Sequence, residues 1–185
     1  MSRPVERELV RSFLCGIKDS IWLHDDDLAQ QLIKKRLPRK VFKRKWGKGY
    51  VIDYWFFKDK TVKEQFIRDD IHNKLKEGIH DHLAMGQILG FPPKSVQIFN
   101  NETYTHSDKI GVSYCGMYFM SYKQSIVDDM QWLFQNKKPP LNKNFKIELS
   151  SYEHSKVLIY ETDRITDIND ILNDITDFLN YKAVS

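Results

Sequence analysis

Six histidines (His24, His72, His80, His82, His106 and His154) offer the most chemistry in this chain. A zinc ion needs three or four nitrogen, sulfur or oxygen ligands converging on one point. His80 and His82 fall in a helical pattern, where they point about 160° apart. His72 and His82 differ by about 80° in azimuth but stand about 15 Å apart along the axis. One zinc cannot take both. A metal-dependent hydrolase would therefore need an Asp or Glu from elsewhere to join His72 or His82. His82 alone reads as a core histidine. Asp25, Asp26 and Asp27 beside His24 suit helix capping better than a divalent ion. Cys15 and Cys115 are the two cysteines, both in apolar surroundings, and read as reduced buried thiols. No Gly-x-Ser-x-Gly elbow, Walker loop or G-x-G-x-x-G occurs. His106-Ser107 and His154-Ser155 each miss the His-x-Ser/Thr phosphoesterase spacing by one residue. These residues give no catalytic group, no metal and no cofactor.

Anion chemistry is better represented. Residues 34–48 hold nine Lys or Arg, and no acid stands between Asp27 and Asp53. Cations displace the counterions condensed on a phosphate backbone, and aromatic faces stack on bases. Lys40, Lys43, Arg44, Lys45, Trp46 and Lys48 are the candidate ligand-binding residues of this run. Phe42, Trp46 and Tyr50 recur every four residues, which would stack them along a helix, although Gly47 and Gly49 argue that regular structure stops near Trp46. A second anion site is expected at Lys94 and Ser95. There Pro93 opens a helix whose first N–H groups, with one ammonium and one hydroxyl, suit a phosphate. The charge is also uneven. Residues 151–185 hold seven acids and three bases, so the first 150 carry about +8 of a net +4. The acidic last helix is thus a further candidate partner for the basic run, or a mimic of nucleic acid that binds another protein.

The stretch from Thr61 to Phe99 organises the rest. Ile67, Ile71, Leu75, Ile79, Leu83, Met85 and Leu89 share one arc of a long amphipathic helix, with Gly78, His82 and Gly86 inside it. Gly90 suits the left-handed position past a helix end, and Pro92 extends Phe91. A short helix then turns Val96 and Phe99 inward. Leu89-Gly90-Phe91-Pro92-Pro93-Lys94-Ser95-Val96 resembles an LGYPPKAV segment of small phage-encoded proteins of unknown role. The resemblance covers about ten residues and carries no catalytic residue with it. It implies an accessory protein of a phage or mobile element, acting in host takeover or against host defence.

Around this centre, helices are expected over residues 3–17, from Asp25 or Asp26 to about Leu37, over 125–134 and over 164–181. Strands are expected over 50–57, 110–122, 145–149 and 156–161. Asp53, the one charge in an apolar strand, is expected to pair with an arginine of the basic run. The seam of the last helix reads as Ile165, Ile168, Leu172, Ile175 and Leu179. The fold class is α+β, with a mainly antiparallel sheet of about four strands packed by helices, a long central helix and an amphipathic acidic C-terminal helix. One domain spans residues 1–185. A hydrophobic content of 41% can fill a core, no apolar run reaches a membrane span, and the charged N-terminus is unlike a signal peptide, so the cytoplasm is the expected compartment. The functional expectation is a non-catalytic binding protein for a phosphate-bearing ligand, nucleic acid or nucleotide. A protein-binding inhibitor acting on a host protein through the acidic helix is the alternative, and a metal-dependent hydrolase the third. The oligomeric state is open.

Overall fold

The computed structural model describes residues 4–76, 82–100, 108–139, 144–151 and 157–180. The fold is α+β, with one antiparallel sheet of three strands and another of four, each packed by helices. The chain forms two compact units, Met1–Gly90 and Phe91–Ser185.

The first unit begins with helix α1 (Pro4–Leu14), strand β1 (Ser20–His24) and helix α2 (Asp27–Lys34). Asp26 caps α2 by accepting the Ala29 N–H at 2.9 Å, as the sequence anticipates for this acidic cluster. Strands β2 (Arg39–Trp46) and β3 (Gly49–Phe57) follow as a hairpin, and the sheet order is β1-β3-β2. One expectation changes here. The basic run is not a helical aromatic stack but the edge strand β2. Pairing against the apolar strand β3 decides this, because Val51 to Phe57 has a full ladder of backbone groups to satisfy.

Side chains then alternate across the sheet. Ile21, Leu23, Tyr54 and Phe56 meet α1 and α2 through Val10, Phe13, Leu28, Ala29 and Leu32. Trp55 and Phe57 point the other way, into a cluster with Phe42, Phe66, Ile71 and Ile88. Phe66 is fully buried there, with its ring 5.0 Å from Trp55 and 5.1 Å from Phe57. It lies on helix α3 (Lys60–Arg68), which is followed by α4 (Ile71–Lys76) and α5 (His82–Leu89). The long central helix is thus interrupted after Arg68. Asp69 caps α3, and Asp70 takes a left-handed φ of 51° while accepting a hydrogen bond from Asn73. Aspartate tolerates that conformation because its short side chain bonds locally. The break rotates the buried face: Phe66 and Ile71 are inside, whereas Ile67 and Leu83 are exposed. His82 is exposed too, so it is not a core histidine. Gly78, Ile79, His80, His106 and His154 lie outside the described residues, as do the side chains of His72 and Leu75. Gly90 closes α5 with the expected positive φ, 77°.

The second unit opens with helix α6 (Pro93–Asn100). Val96 and Ile98 face inward and Phe99 is exposed, the reverse of the reading for Phe99. The segment expected as one strand over 110–122 is a hairpin, β4 (Lys109–Tyr114) and β5 (Met117–Tyr122). Cys115 and Gly116 turn it with φ of 52° and 84°, both positive, as a type I′ turn requires. Helix α7 (Ile126–Asn136), strands β6 (Lys146–Ser151) and β7 (Val157–Glu161) and helix α8 (Ile168–Asn180) complete the unit, with sheet order β5-β4-β6-β7. The seam of α8 is Ile171, Ile175 and Phe178. Ile168 is exposed, so the stripe lies one step round from the expected one.

Candidate nucleic-acid interface

β1 ends at His24, opposite Asp53. Past that row β2 and β3 run on alone as a two-stranded ribbon, pairing Lys43 with Ile52, Lys45 with Tyr50 and Trp46 with Gly49. Gly47 and Lys48 make the turn. Gly47 has a φ of 57° and Lys48 is not left-handed, which matches a type II′ turn with glycine at its first central position. A side chain at position 47 would be strained by that backbone, although nothing stands within 4 Å of where its Cβ would be.

The ribbon carries most of the predicted anion-binding residues. Lys43, Lys45 and Lys48 are exposed and Lys40, opposite Trp55, is half-buried. Arg44 and Trp46 stand opposite Val51 and Gly49 in the register, and their side chains lie outside the described part. The Lys43 ammonium sits 4.4 Å from the centre of the Tyr50 ring, a cation–π contact that keeps two exposed groups together. Tyr50 is 65% exposed and Val41 50%, on a strand pair whose other end is buried on both faces. Among the described residues no carboxylate pairs with Lys43, Lys45 or Lys48.

No family model, curated protein or solved structure matches the chain.

Lys94 and Ser95 have internal partners in the second unit. Lys94 pairs with Asp128, and this bond raises the lysine pKa above its ordinary value. Ser95 is buried, donating its hydroxyl to one oxygen of Asp129 and its backbone N–H to the other at 3.3 Å. Ser121 donates to the same carboxylate at 2.7 Å. The start of α6 therefore meets the carboxyl group of Asp129, delivered by the first turn of α7. Burial pushes the Asp129 carboxyl above the usual carboxylate range, although the serine hydrogen bonds oppose this.

Asp53 is buried, and it pairs with His24, Nδ1 to Oδ1 at 2.6 Å across the β1–β3 row. Trp22 packs edge-on to the imidazole with ring centres 5.3 Å apart. The signal for this acid is its place as the one charge in an apolar strand, and the strand register brings His24 to it. Among the described residues no group of three or more His, Cys, Asp or Glu is arranged to hold a metal ion.

Proposed function

We propose that the chain binds nucleic acid through its backbone phosphates, using the ribbon formed by β2 and β3. The observation that carries this reading is the set of three exposed lysines, Lys43, Lys45 and Lys48, that have no carboxylate partner among the described residues and stand beside exposed Tyr50. The described lysines and Tyr50 of the ribbon are exposed, whereas a single nucleotide usually needs a pocket around most of its surface. A polymer instead spreads its phosphates over several lysines and offers bases to Tyr50. The LGFPPKSV resemblance extends the reading to a phage or mobile-element accessory protein. A titration of a fluorescent single-stranded oligonucleotide at several salt concentrations tests it. Three neutralised phosphates give a slope of log K against log salt of about −2. A salt-independent affinity, or no binding at low salt, would contradict the reading.

A second reading rests on α8 and β7. Asp167, Asp170 and Asp174 border a groove of about 450 Å³ that also exposes Ile159. That surface suits a basic host protein. Asp170→Lys with Asp174→Lys separates the two readings. Nucleic-acid binding through the ribbon survives this double substitution, whereas a protein complex made by α8 is lost.

A further inference from the structure

The His24–Asp53 pair has the geometry of a positioned general base. Asp53 is nine-tenths buried and more, while the His24 side chain is 56% exposed at the sheet edge. With Nδ1 committed to the carboxylate, Nε2 is the remaining ring nitrogen, and among the described residues it makes no hydrogen bond. An acid holding Nδ1–H fixes the tautomer that leaves the Nε2 lone pair available, and it stabilises the imidazolium formed when Nε2 takes a proton. Trp22 at 5.3 Å limits how the ring can turn. No serine, threonine or cysteine hydrogen-bonds to His24 among the described residues, so a nucleophile for this base comes from the substrate or from water, and the 2′,3′-cyclic end tested below distinguishes the two. A nucleic acid that carries its own nucleophile beside the phosphate is RNA.

Resting on the nucleic-acid reading above, we propose that His24 and Asp53 cleave RNA by internal transesterification. His24 Nε2 takes the proton of a ribose 2′-hydroxyl. The 2′-oxygen bonds to the adjacent phosphorus, and the bond from phosphorus to the 5′-oxygen breaks. The leaving 5′-oxygen takes a proton from water, and the imidazolium returns its proton to the hydroxide so formed. The products are a 2′,3′-cyclic phosphate and a 5′-hydroxyl, with no change of oxidation state and no co-reactant. His24 is the catalytic residue, and Asp53, which reaches the substrate only through it, is a positioning residue. By the strand register Lys40, opposite Trp55, shares the face of the sheet that carries His24 and Asp53, whereas Lys43 and Lys45 lie on the other face, so Lys40 is the cation placed to hold the backbone beside His24.

The experiment incubates the full chain with a labelled single-stranded RNA and with the DNA of the same sequence, in EDTA, and follows both binding and product termini. The expected result is that both bind, that RNA alone is cut to 2′,3′-cyclic phosphate ends, and that His24→Gln slows cutting by about 10²–10⁴-fold with binding unchanged. Asp53→Asn is expected to lower kcat while leaving KM near that of the wild type; circular dichroism checks that it folds. Binding of RNA without cleavage overturns the proposal and leaves the binding reading standing. Cutting by His24→Gln at the wild-type rate also overturns it. If neither RNA nor DNA binds, the nucleic-acid reading fails and the cleavage proposal falls with it.

Discussion

Asp129→Ala lowers the unfolding free energy by about 3 kcal/mol, the largest stability loss expected from one polar side chain in the second unit. The carboxylate accepts from the Ser95 hydroxyl, the Ser95 N–H and the Ser121 hydroxyl, all of them buried. Alanine leaves these donors without their acceptor in a place water does not reach, and an unmet buried donor costs about 1–3 kcal/mol. It also unties three elements at once: the start of α6, the end of β5 and the first turn of α7. Asp129→Asn keeps one acceptor oxygen and costs about half as much. The pH dependence follows from the raised carboxyl. The folded chain holds this proton more tightly than the unfolded chain, whose aspartates titrate near about 3.9. The contribution is fully present below that value and is lost as pH rises through the folded one. The stability of the wild type relative to Asp129→Asn is therefore greater at pH 4 than at pH 7. Urea unfolding of both proteins at the two pH values reads this directly, and a gap that is constant or reversed would show that Asp129 is not held as described.

The second large effect is on binding. Replacing Lys43, Lys45 and Lys48 together by glutamine removes three exposed cations and no core contact. Single-stranded nucleic-acid affinity falls by about 100-fold at low salt, and the salt slope flattens by about 2, because each lost phosphate contact contributes about 0.7. Stability changes little, since exposed charges of this kind rarely contribute more than about 0.5 kcal/mol. Fluorescence anisotropy and urea unfolding on the same triple variant separate the two effects. An affinity that holds with the slope unchanged would move the interface off the ribbon.

How much of this was legible beforehand depends on the range of each signal. The strand at Tyr50–Phe57 and the helix at the C-terminus follow from local patterns and are present, within a few residues, as β3 and α8. In the basic run Phe42, Trp46 and Tyr50 are four apart, which suggests a helix where the structure has strands. Four residues fit both a helical turn and two strand repeats, and only pairing with β3 distinguishes them. β1 is five residues long with an exposed Trp22, too short for alternation to stand out. The break at Asp69-Asp70 carried a signal, two residues that bond their own backbone, but the apolar arc running across it looked continuous. The candidate sites depended on distance along the chain. The lysines of the ribbon were visible as composition. His24 and Asp53 are 29 residues apart, and Ser95 and Asp129 are 34 apart. No local spacing joins either pair. For Ser95 the sequence points to a phosphate at a helix start, and the structure places the Asp129 carboxyl there.

Photo-crosslinking of the full chain to a bromouridine-containing RNA, with the crosslinked residues located by mass spectrometry, tests the central claim most directly. The account predicts crosslinks within residues 41–52, with Tyr50 foremost, and their loss in the triple lysine variant. Crosslinks that fall in the second unit instead, or that persist undiminished when the three lysines are gone, would contradict it.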